Sequence, residues 1–355
     1  MRGVHASVTE TDAASVGRPE HGAVAVTNGA RTGAVPDTDL TRAAALGRFR
    51  AVKRAILILN PEATTVTPRT RTVITRALAS DLVVDVAETK RRGHAQHLAA
   101  GAVHEGYDLV LVLGGDGTLN EVINGIAGTD TPLAIIPGGG TNVFARTHGI
   151  PEDSVEATAH LLERLRDGTQ PKRINLGVVN GRYFGFCAGV GFDAAVVRAV
   201  ERRFKMKKKI GEWFFVTTAL RLFFFAYNRI EKPIHIRLPD GTEHRDLRVA
   251  IAGNSNPFTF LGERPFQVTP LADPQRGLDV TGVKSLALHR TLRFLWRAFG
   301  SGGQIHLRNV VGIHDLERFE VVTDRPAPLQ VDGDYVGEGT RFEFSSHTDA
   351  LSLMV

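Results

Sequence analysis

Residues 109–126 read LVLVLGGDGTLNEVINGI, and this stretch decides the fold. The unbroken apolar run Leu109–Leu113 is bounded by glycine, which is typical of a strand covered on both faces. From Leu119 to Ile126 the apolar residues recur at i, i+3, i+4 and i+7, which predicts a helix. The stretch is therefore a strand, a glycine turn and a helix, the unit from which parallel sheets are built.

The glycine turn in this stretch suits phosphate binding. Glycines let the backbone approach oxygen atoms closely, and the first turn of a helix carries unpaired N–H groups with a partial positive charge. Asp116 is unexpected there, because a carboxylate repels phosphate unless it coordinates Mg²⁺, contacts a metal-bound water or accepts a proton from the attacking hydroxyl. For the turn alone, a helix cap with ordinary tight-turn glycines is the alternative.

Two further polar loops follow neighbouring strand candidates. Leu133–Ile136 runs into Pro-Gly-Gly-Gly-Thr-Asn at 137–142, and the first strand ends in Asn60-Pro61. Ligand sites of open α/β sheets lie beyond the carboxyl ends of the strands. Three such loops together therefore predict a nucleotide site.

The chain divides by composition and pattern. We expect a disordered tail at 1–50, a nucleotide-binding α/β domain at 51–168, a β-rich domain at 169–340, which the family resemblance below makes the lipid-substrate domain, and a segment at 341–355 that could return to the first domain. The predicted strands are Ala55–Leu59, Leu82–Ala87, Asp108–Leu113 and Leu133–Ile136, and the predicted helices are Arg69–Ala79, His94–His104, Ser154–Leu165, Ala194–Phe204, Glu212–Tyr227 and Arg290–Phe299. Asn180-Gly181 and Pro239-Asp240-Gly241 predict hairpins.

Composition limits the class of protein. The single cysteine, Cys187, excludes an intramolecular disulfide and is expected in the core. The chain starts without a signal-peptide core, and its most apolar segment, Trp213–Tyr227, is too short to span roughly 30 Å of hydrocarbon. A net charge of +5 suits anionic partners without choosing among them. These features predict a cytoplasmic protein.

The sequence Gly114–Gly125, together with the second glycine loop, resembles the diacylglycerol kinase catalytic-domain family of bacterial lipid kinases. That family is related to sphingosine kinases and more distantly to NAD kinases. The resemblance covers the chain after the tail. It implies an N-terminal phosphofructokinase- and NAD-kinase-like α/β domain, a second β-rich sandwich domain, and ATP bound in the cleft between them.

The resemblance also implies which residues contact Mg·ATP. They are Asn60, Thr64, Thr89, Gly114, Gly115, Asp116, Gly117, Thr118, Leu119, Asn120, Glu121, Gly139, Gly140, Thr141 and Asn142. Asp116 is the candidate contact to Mg²⁺, through the nucleotide. For Thr89 alone, helix capping is an equal alternative.

The chain departs from the family at several points. Its first loop reads Asn60-Pro-Glu-Ala-Thr64 where the family has Asn-Pro-x-Ser-Gly, so a threonine hydroxyl would replace the glycine. Val143 stands where many relatives have an aspartate, and a metal-linked role of that aspartate is lost. Arg276 replaces the aspartate of a structural Mg²⁺ loop and would repel the ion, although Asp273 or Asp279 could compensate.

Near the C-terminus, Asp332-Gly333-Asp334 resembles the family's Asp-Gly-Glu motif, whose last carboxylate is proposed as general base. By that resemblance Asp334 accepts the proton of a lipid hydroxyl, with Asp332 nearby. Aspartate reaches about 1.5 Å less than glutamate, one C–C bond. An ordinary hairpin turn is the structural alternative.

The segment from Arg202 to Phe225 joins a basic run to aromatic side chains, which fits peripheral contact with an anionic membrane. A solvated turn before a core helix is the alternative. We therefore expect a protein at the inner membrane surface, without a nucleic-acid partner. The oligomeric state cannot be read from the sequence.

Together these patterns predict an ATP-dependent lipid kinase that phosphorylates a hydroxyl of diacylglycerol or a similar lipid alcohol, in phospholipid metabolism. NAD kinase is an alternative because it shares the Gly-Gly-Asp-Gly-Thr loop, although Asn120-Glu121 and the second glycine loop favour the lipid branch. A non-catalytic, nucleotide-regulated module that binds membrane or nucleic acid is the other alternative. It would bind ATP without turnover.

Overall fold

Alternating strands and helices form the first half of the protein. The computed structural model describes residues 54–191 and 233–355. The elements of the first half are β1 Arg54–Leu59, α1 Pro68–Leu78, β2 Val83–Glu88, α2 His94–His104, β3 Leu109–Gly114, α3 Asp116–Ile126, β4 Leu133–Pro137, α4 Val143–Thr147 and α5 Ser154–Arg166. The four predicted strands and the helices predicted at Arg69–Ala79, His94–His104 and Ser154–Leu165 are confirmed, with ends that differ by no more than one residue. The helix predicted over Leu119–Ile126 is also confirmed, but it begins three residues earlier, at Asp116. The short helix α4 was not predicted.

Strands β1 to β4 form a parallel sheet covered by helices on both faces, in the order β4-β3-β1-β2. Along β3, Val110 and Val112 pack with α2 and α3. Leu109 and Leu111 pack in the cluster that contains residues of α1 and α5. This alternation explains why every residue of β3 is buried, and it brings the loops after β1, β3 and β4 to one edge of the sheet.

Antiparallel strands dominate the second half. Its elements are β5 Lys172–Val179, β6 Arg182–Phe184, β7 Cys187–Gly191, β8 Ile234–Arg237, β9 Glu243–Leu247, β10 Val249–Gly253, β11 Thr259–Leu261, β12 Arg264–Phe266, β13 Leu278–Val283, α6 Leu288–Ala298, a 3₁₀ helix Gly303–His306, β14 Val310–Leu316, β15 Arg318–Val331 and β16 Asp334–Leu353. The predicted hairpins are confirmed: Asn180-Gly181 joins β5 to β6 with positive φ at both residues, and Pro239–Gly241 lies between β8 and β9. The predicted helix near Arg290–Phe299 is α6.

The long hairpin β15–β16 connects the two halves. β16 pairs antiparallel with β15 and β5, and at Leu353 it pairs in parallel with Leu133 of β4. One sheet therefore runs through both halves in the order β14-β13-β10-β7-β15-β16-β4-β3-β1-β2. The mixed architecture of a parallel α/β layer and a β-rich part confirms the predicted fold class. The boundaries assigned to the domains stay a prediction.

Several sequence-based predictions fall outside the described residues. They are the tail at 1–50, the helices Ala194–Phe204 and Glu212–Tyr227, and the segment Arg202–Phe225. Within the described residues, Cys187 is buried, as predicted. No helix in the described part of the chain is long and apolar enough to cross a bilayer.

Candidate active site

The predicted glycine turn lies between the end of β3 and the start of α3. Gly115 precedes the helix and has no side chain with which to cap it. The first N–H groups of an α-helix have no partner within the helix and carry partial positive charge. The start of α3 therefore has the character of an anion site.

The second glycine loop, after β4, packs directly on the first. Gly138 N donates to the carbonyl oxygen of Gly114 across 2.8 Å. A Cβ atom on Gly139 would lie 2.7 Å from the Cα of Gly115, closer than real Cβ atoms come. Gly140, in contrast, faces open space. The two predicted phosphate loops thus form one continuous surface, and part of their glycine content is required by contact between the loops themselves.

Asn142 closes the second loop on itself. Its Oδ1 accepts from Gly139 N and its Nδ2 donates to the Gly139 carbonyl, both across 2.9 Å. The residue is buried and has a φ of 47°, a conformation that asparagine tolerates better than most residues. Thr141 beside it keeps part of its surface exposed. Asn142 therefore shapes the loop, and Thr141 is the more accessible member of this pair.

Asp116 directs both carboxylate oxygens to the second loop. Oδ2 accepts from Val143 N at 3.0 Å and Oδ1 from Phe144 N at 3.2 Å, so the carboxylate binds the start of α4. Burial raises the pKa of Asp116 to about 6, although the two backbone N–H groups act in the opposite direction. The predicted contact of Asp116 with Mg²⁺ or the transferred phosphate stays a prediction. The geometry adds a second function, which is to join the two glycine loops.

The loop after β1 contacts both glycine loops. Asn60 Nδ2 donates to Thr118 Oγ1 across 2.9 Å, and Asn60 Oδ1 accepts from Glu62 N. Thr65 N donates to the carbonyl oxygen of Gly138. Thr64 is exposed in the same loop. Asn60 and Thr64 are thus brought to the predicted edge, as the third member of the loop cluster.

Thr89, Leu119 and Glu121 are placed differently. Thr89 follows β2, and its N–H donates to the carbonyl oxygen of Leu59. Leu119 is buried in the core. Glu121 accepts from Gly93 N at 2.6 Å and Ala95 N at 3.1 Å, so its carboxylate caps α2. Both oxygens of Glu121 and the side chain of Leu119 therefore contact protein, and their predicted contacts with nucleotide remain untested.

A buried polar network connects α3 to the turn between β15 and β16. Asn120 Nδ2 donates to Asp332 Oδ2 across 2.8 Å, and Asn120 Oδ1 accepts from an Nη atom of Arg182 at 2.5 Å. Asp332 also accepts from three successive N–H groups, those of residues 185 to 187. Burial raises the pKa of Asp332, and these hydrogen bonds oppose the increase. The sequence patterns gave no signal for Arg182.

The side chain of Asp334, the first residue of β16, lies beside the start of α3. Its Oδ2 atom is 3.0 Å from the position that a Cβ atom on Gly117 would occupy. An Nη atom of Arg92 lies 3.4 Å from Asp334 Oδ2, and Arg92 also donates to the Tyr335 carbonyl. Asp334 keeps about a third of its side-chain surface exposed, whereas Asp332 is 4% exposed. Asp334 is therefore the accessible carboxylate of this turn.

The two aspartates differ because of the turn between them. Asp332 and Gly333 both have positive φ, which is the geometry of a two-residue hairpin loop. Asp-Gly-Asp is thus a hairpin turn, the structural alternative considered above. The turn also places its first carboxylate in the core and its last beside Gly117, so the hairpin geometry is compatible with the predicted role of Asp334, which stays a prediction.

The described residues do not form a metal site of their own. No group of three or more His, Cys, Asp or Glu side chains with suitable spacing occurs among them. At the structural Mg²⁺ loop of the family, Asp279 accepts from His314 Nδ1 and from Asp315 N. Asp273 accepts from Gln275 N. Both carboxylates that were considered as substitutes for the missing aspartate therefore accept hydrogen bonds from the protein.

Comparisons with known proteins agree on one family. The profile of the "Diacylglycerol kinase catalytic domain" family matches residues 54–174. The chain is 34% identical over 223 residues to the "Diacylglycerol kinase" of Mycobacterium tuberculosis (strain ATCC 25618 / H37Rv), which covers 61% of this chain and 67% of that relative. It is 43% identical over 101 residues to the "Diacylglycerol kinase" of Bacillus subtilis (strain 168), covering 28% of this chain and 32% of the relative.

A solved structure supports the fold. The crystal structure of a diacylglycerol kinase from Bacillus anthracis str. Sterne superimposes with a TM-score of 0.66 at 24% identity, and covers 85% of this chain and 96% of the other. At this identity the likeness concerns the fold alone.

Proposed function

We propose, on the premise that this chain belongs to the diacylglycerol kinase catalytic-domain family and is a lipid kinase, that it transfers the terminal phosphoryl group of ATP to the hydroxyl of diacylglycerol or a similar lipid alcohol. This function belongs to phospholipid metabolism. Membership of the family favours it over the NAD kinase interpretation and over a module without turnover.

One observation carries the proposal, namely the position of Asp334 beside Gly117. The glycine loops supply backbone N–H groups suited to phosphate, and a carboxylate from a distant strand comes within contact distance of the same turn. Phosphoryl transfer to an alcohol needs both parts, because the phosphate charge must be stabilised and the hydroxyl proton must leave.

In the proposed reaction, the lipid hydroxyl oxygen attacks the terminal phosphorus atom of ATP. The bond between that oxygen and phosphorus forms, the bond to the bridging oxygen breaks, and ADP leaves. Asp334 accepts the hydroxyl proton. The N–H groups at the start of α3 and in the second glycine loop hold the transferred phosphate. Arg92, 3.4 Å from Asp334 Oδ2, is suited to orient that carboxylate.

Mg²⁺ would arrive with the nucleotide. The carboxylates of Asp116 and Asp332 already accept backbone N–H groups, and no cluster of ligands occurs in the described residues. The ion is usually held by substrate phosphates with one or two carboxylates, and Asp116 and Asp334 are the side chains that would hold it here. No step above depends on it.

The acceptor determines where the protein acts. Diacylglycerol resides in a bilayer, so we propose that the enzyme works peripherally at the inner membrane surface. The basic and aromatic segment Arg202–Phe225 was predicted to make this contact. That segment lies outside the described residues.

The test is an assay of purified protein with labelled ATP and a panel of acceptors that includes diacylglycerol, a long-chain base, another lipid alcohol and NAD. We expect label in a phospholipid product, separated by chromatography, and none in NADP. The matched control is Asp334→Asn, which should form no more than traces of product.

Label in NADP alone would replace the proposal with NAD kinase activity. ATP binding without product for any acceptor would favour the non-catalytic module instead.

A further inference from the structure

The helix α6 exposes an apolar surface that is unusual for the outside of a protein. Leu288, Leu292 and Trp296 have relative exposures of 49%, 56% and 77%. They are four residues apart, so at about 100° per residue they fall within roughly 80° of one another on the helix. Phe299, just after the helix, continues this sector. We call Leu288, Leu292, Trp296 and Phe299 the outer apolar face.

Apart from Phe299, whose ring also contacts Phe266, this face is separate from the side of α6 that packs on the protein. Ala298 is buried, and Phe294 packs against a small core cluster that includes Ile251 and Val268. A surface helix normally has one apolar stripe, which faces the core. Helix α6 has two, and the second faces solvent.

Basic side chains border the outer apolar face. The helix sequence LHRTLRFLWRA contains three arginines and no acidic residue. Steps of about 100° place His289 about 20° and Arg293 about 60° from Trp296, whereas Arg290 lies about 120° from it, beyond the edge of the apolar face. An apolar sector bordered by arginines, on a helix without carboxylates, matches the boundary between anionic headgroups and acyl chains.

The charge pattern argues against a second copy of the chain as the partner. A two-fold interface brings the same patch from each subunit together. Such an interface would bring two copies of a helix with three arginines together, with no carboxylate of α6 to compensate their charge. An anionic bilayer meets no such repulsion.

Contacts link α6 to the glycine loops. Asp116 binds the start of α4, and Arg146 of α4 donates to the Gly262 carbonyl and lies 3.8 Å over the ring of Phe260. Gly262 and Phe260 belong to the hairpin β11–β12. Phe266 of the same hairpin packs against Phe299, with 4.7 Å between the ring centroids. The outer apolar face is therefore connected to the candidate site through packed elements.

We propose that α6 lies in the interface of an anionic membrane, with the outer apolar face in the acyl boundary and Arg290 and Arg293 among the headgroups. The choice of a bilayer as partner rests on the proposed function, because a lipid kinase must take its acceptor from one. This surface is additional to the segment Arg202–Phe225, where the sequence predicted membrane contact. It adds a second membrane contact, on helix α6.

Trp296 provides a direct probe. The chain has two tryptophans, so in a Trp213→Phe background the fluorescence comes from Trp296 alone. On addition of vesicles of phosphatidylglycerol and phosphatidylcholine, without ATP or acceptor, we expect a blue shift and protection from acrylamide. Vesicles of phosphatidylcholine alone should produce a much smaller change. Unchanged Trp296 emission in protein that sediments with anionic vesicles would overturn the proposal.

Variants of α6 then test each half of the surface. Leu292→Ser should weaken partition into anionic vesicles about tenfold, because it removes one exposed aliphatic side chain from the acyl boundary. Arg290→Gln combined with Arg293→Gln should weaken it about as much at low salt, and the difference should shrink as salt is added. The matched control is Val155→Ser, an apolar residue 44% exposed on α5, which should bind as the parent does.

The outcome is separable from the proposed function. Leu292→Ser should keep its turnover of short-chain diacylglycerol in detergent, since the residue is exposed and lies outside the site. Absence of turnover in every form, with normal vesicle binding, would contradict the kinase assignment only. Parent-like vesicle binding by Leu292→Ser, or a dimer in sedimentation that this variant abolishes, would overturn the membrane surface.

Discussion

Asn120 donates a hydrogen bond to Asp332 across 2.8 Å, although 212 positions separate the two residues. The bond joins the helix that starts at the first glycine loop to the turn that carries Asp334. Both residues are buried, at 1% and 4% exposure. The relative position of phosphate loop and candidate base therefore depends on a buried amide and carboxylate.

Asp332→Asn should destabilise the protein. The carboxylate accepts four hydrogen bonds, from three backbone N–H groups and Asn120, and an amide would turn a donor toward some of these donors. Unsatisfied buried donors cost about 1–3 kcal/mol each, so we expect a loss of roughly 2–4 kcal/mol in urea unfolding.

The matched control is Asp334→Asn, the same change two residues later at a half-exposed position. It should alter stability by no more than about 0.5 kcal/mol. If Asp332→Asn is as stable as the parent but inactive, then Asp332 acts in the chemistry rather than in positioning.

Asp334→Asn should lower kcat by about 10² to 10⁴, the usual effect of losing a general base. ATP affinity should change little, because the glycine loops are intact. Steady-state kinetics and a separate nucleotide-binding titration measure the two effects.

The control for Asp334→Asn is Asp240→Asn, at an exposed hairpin turn between β8 and β9, which should retain parent activity. Asp334 is structural if Asp334→Ala abolishes ATP binding while Asp334→Asn stays active.

Asp116 should make the stability depend on pH. The folded protein keeps a proton on Asp116 up to a pKa of about 6, whereas the unfolded chain releases it near the ordinary aspartate pKa of 3.8. The folded state therefore binds more protons between these values, and this contribution to stability falls as pH rises from about 4 to 6.

The measurement is the free energy of unfolding of the parent minus that of Asp116→Asn, at several pH values. This difference should decrease across the window by at most about 3 kcal/mol and then level off. If this difference in unfolding free energy does not change with pH, the carboxyl group of Asp116 has the same pKa in the folded and the unfolded protein. Asp116→Asn should also cut turnover by orders of magnitude, and near-normal activity would remove Asp116 from the mechanism.

Gly139→Ala should separate the two glycine loops. The added methyl would lie 2.7 Å from the Cα of Gly115, and backbone cannot give way as a flexible side chain does. We expect a loss of about 1–3 kcal/mol in stability, with weaker ATP binding.

Gly140→Ala is the matched control for the fold, since a Cβ there meets nothing within 4 Å. Its thermal unfolding should equal that of the parent. Equal stability of both variants would mean that the loops do not pack as described.

The sequence alone determined the α/β layer and its loop cluster. The apolar run of β3 and the 3.6-residue spacing of α3 are local patterns, and strand and helix follow from them before any distant contact forms. The Asn180-Gly181 hairpin was equally local, because two residues that tolerate positive φ define the turn. Polar loops at strand ends indicated where a ligand binds, since parallel strands end at a common edge.

Only the tertiary structure decided what the polar side chains of those loops contact. A glycine pattern does not show whether the backbone approaches a phosphate or another loop. Gly139 approaches another loop, because it packs against Gly115. Nor could the spacing reveal that Glu121 caps α2 or that Asp116 binds the start of α4, because both partners lie elsewhere in the chain. For α6, the periodicity of the sequence indicated a helix but did not show which of its apolar sides is buried. The tertiary structure decides this, because burial depends on the neighbours that the fold brings to each face.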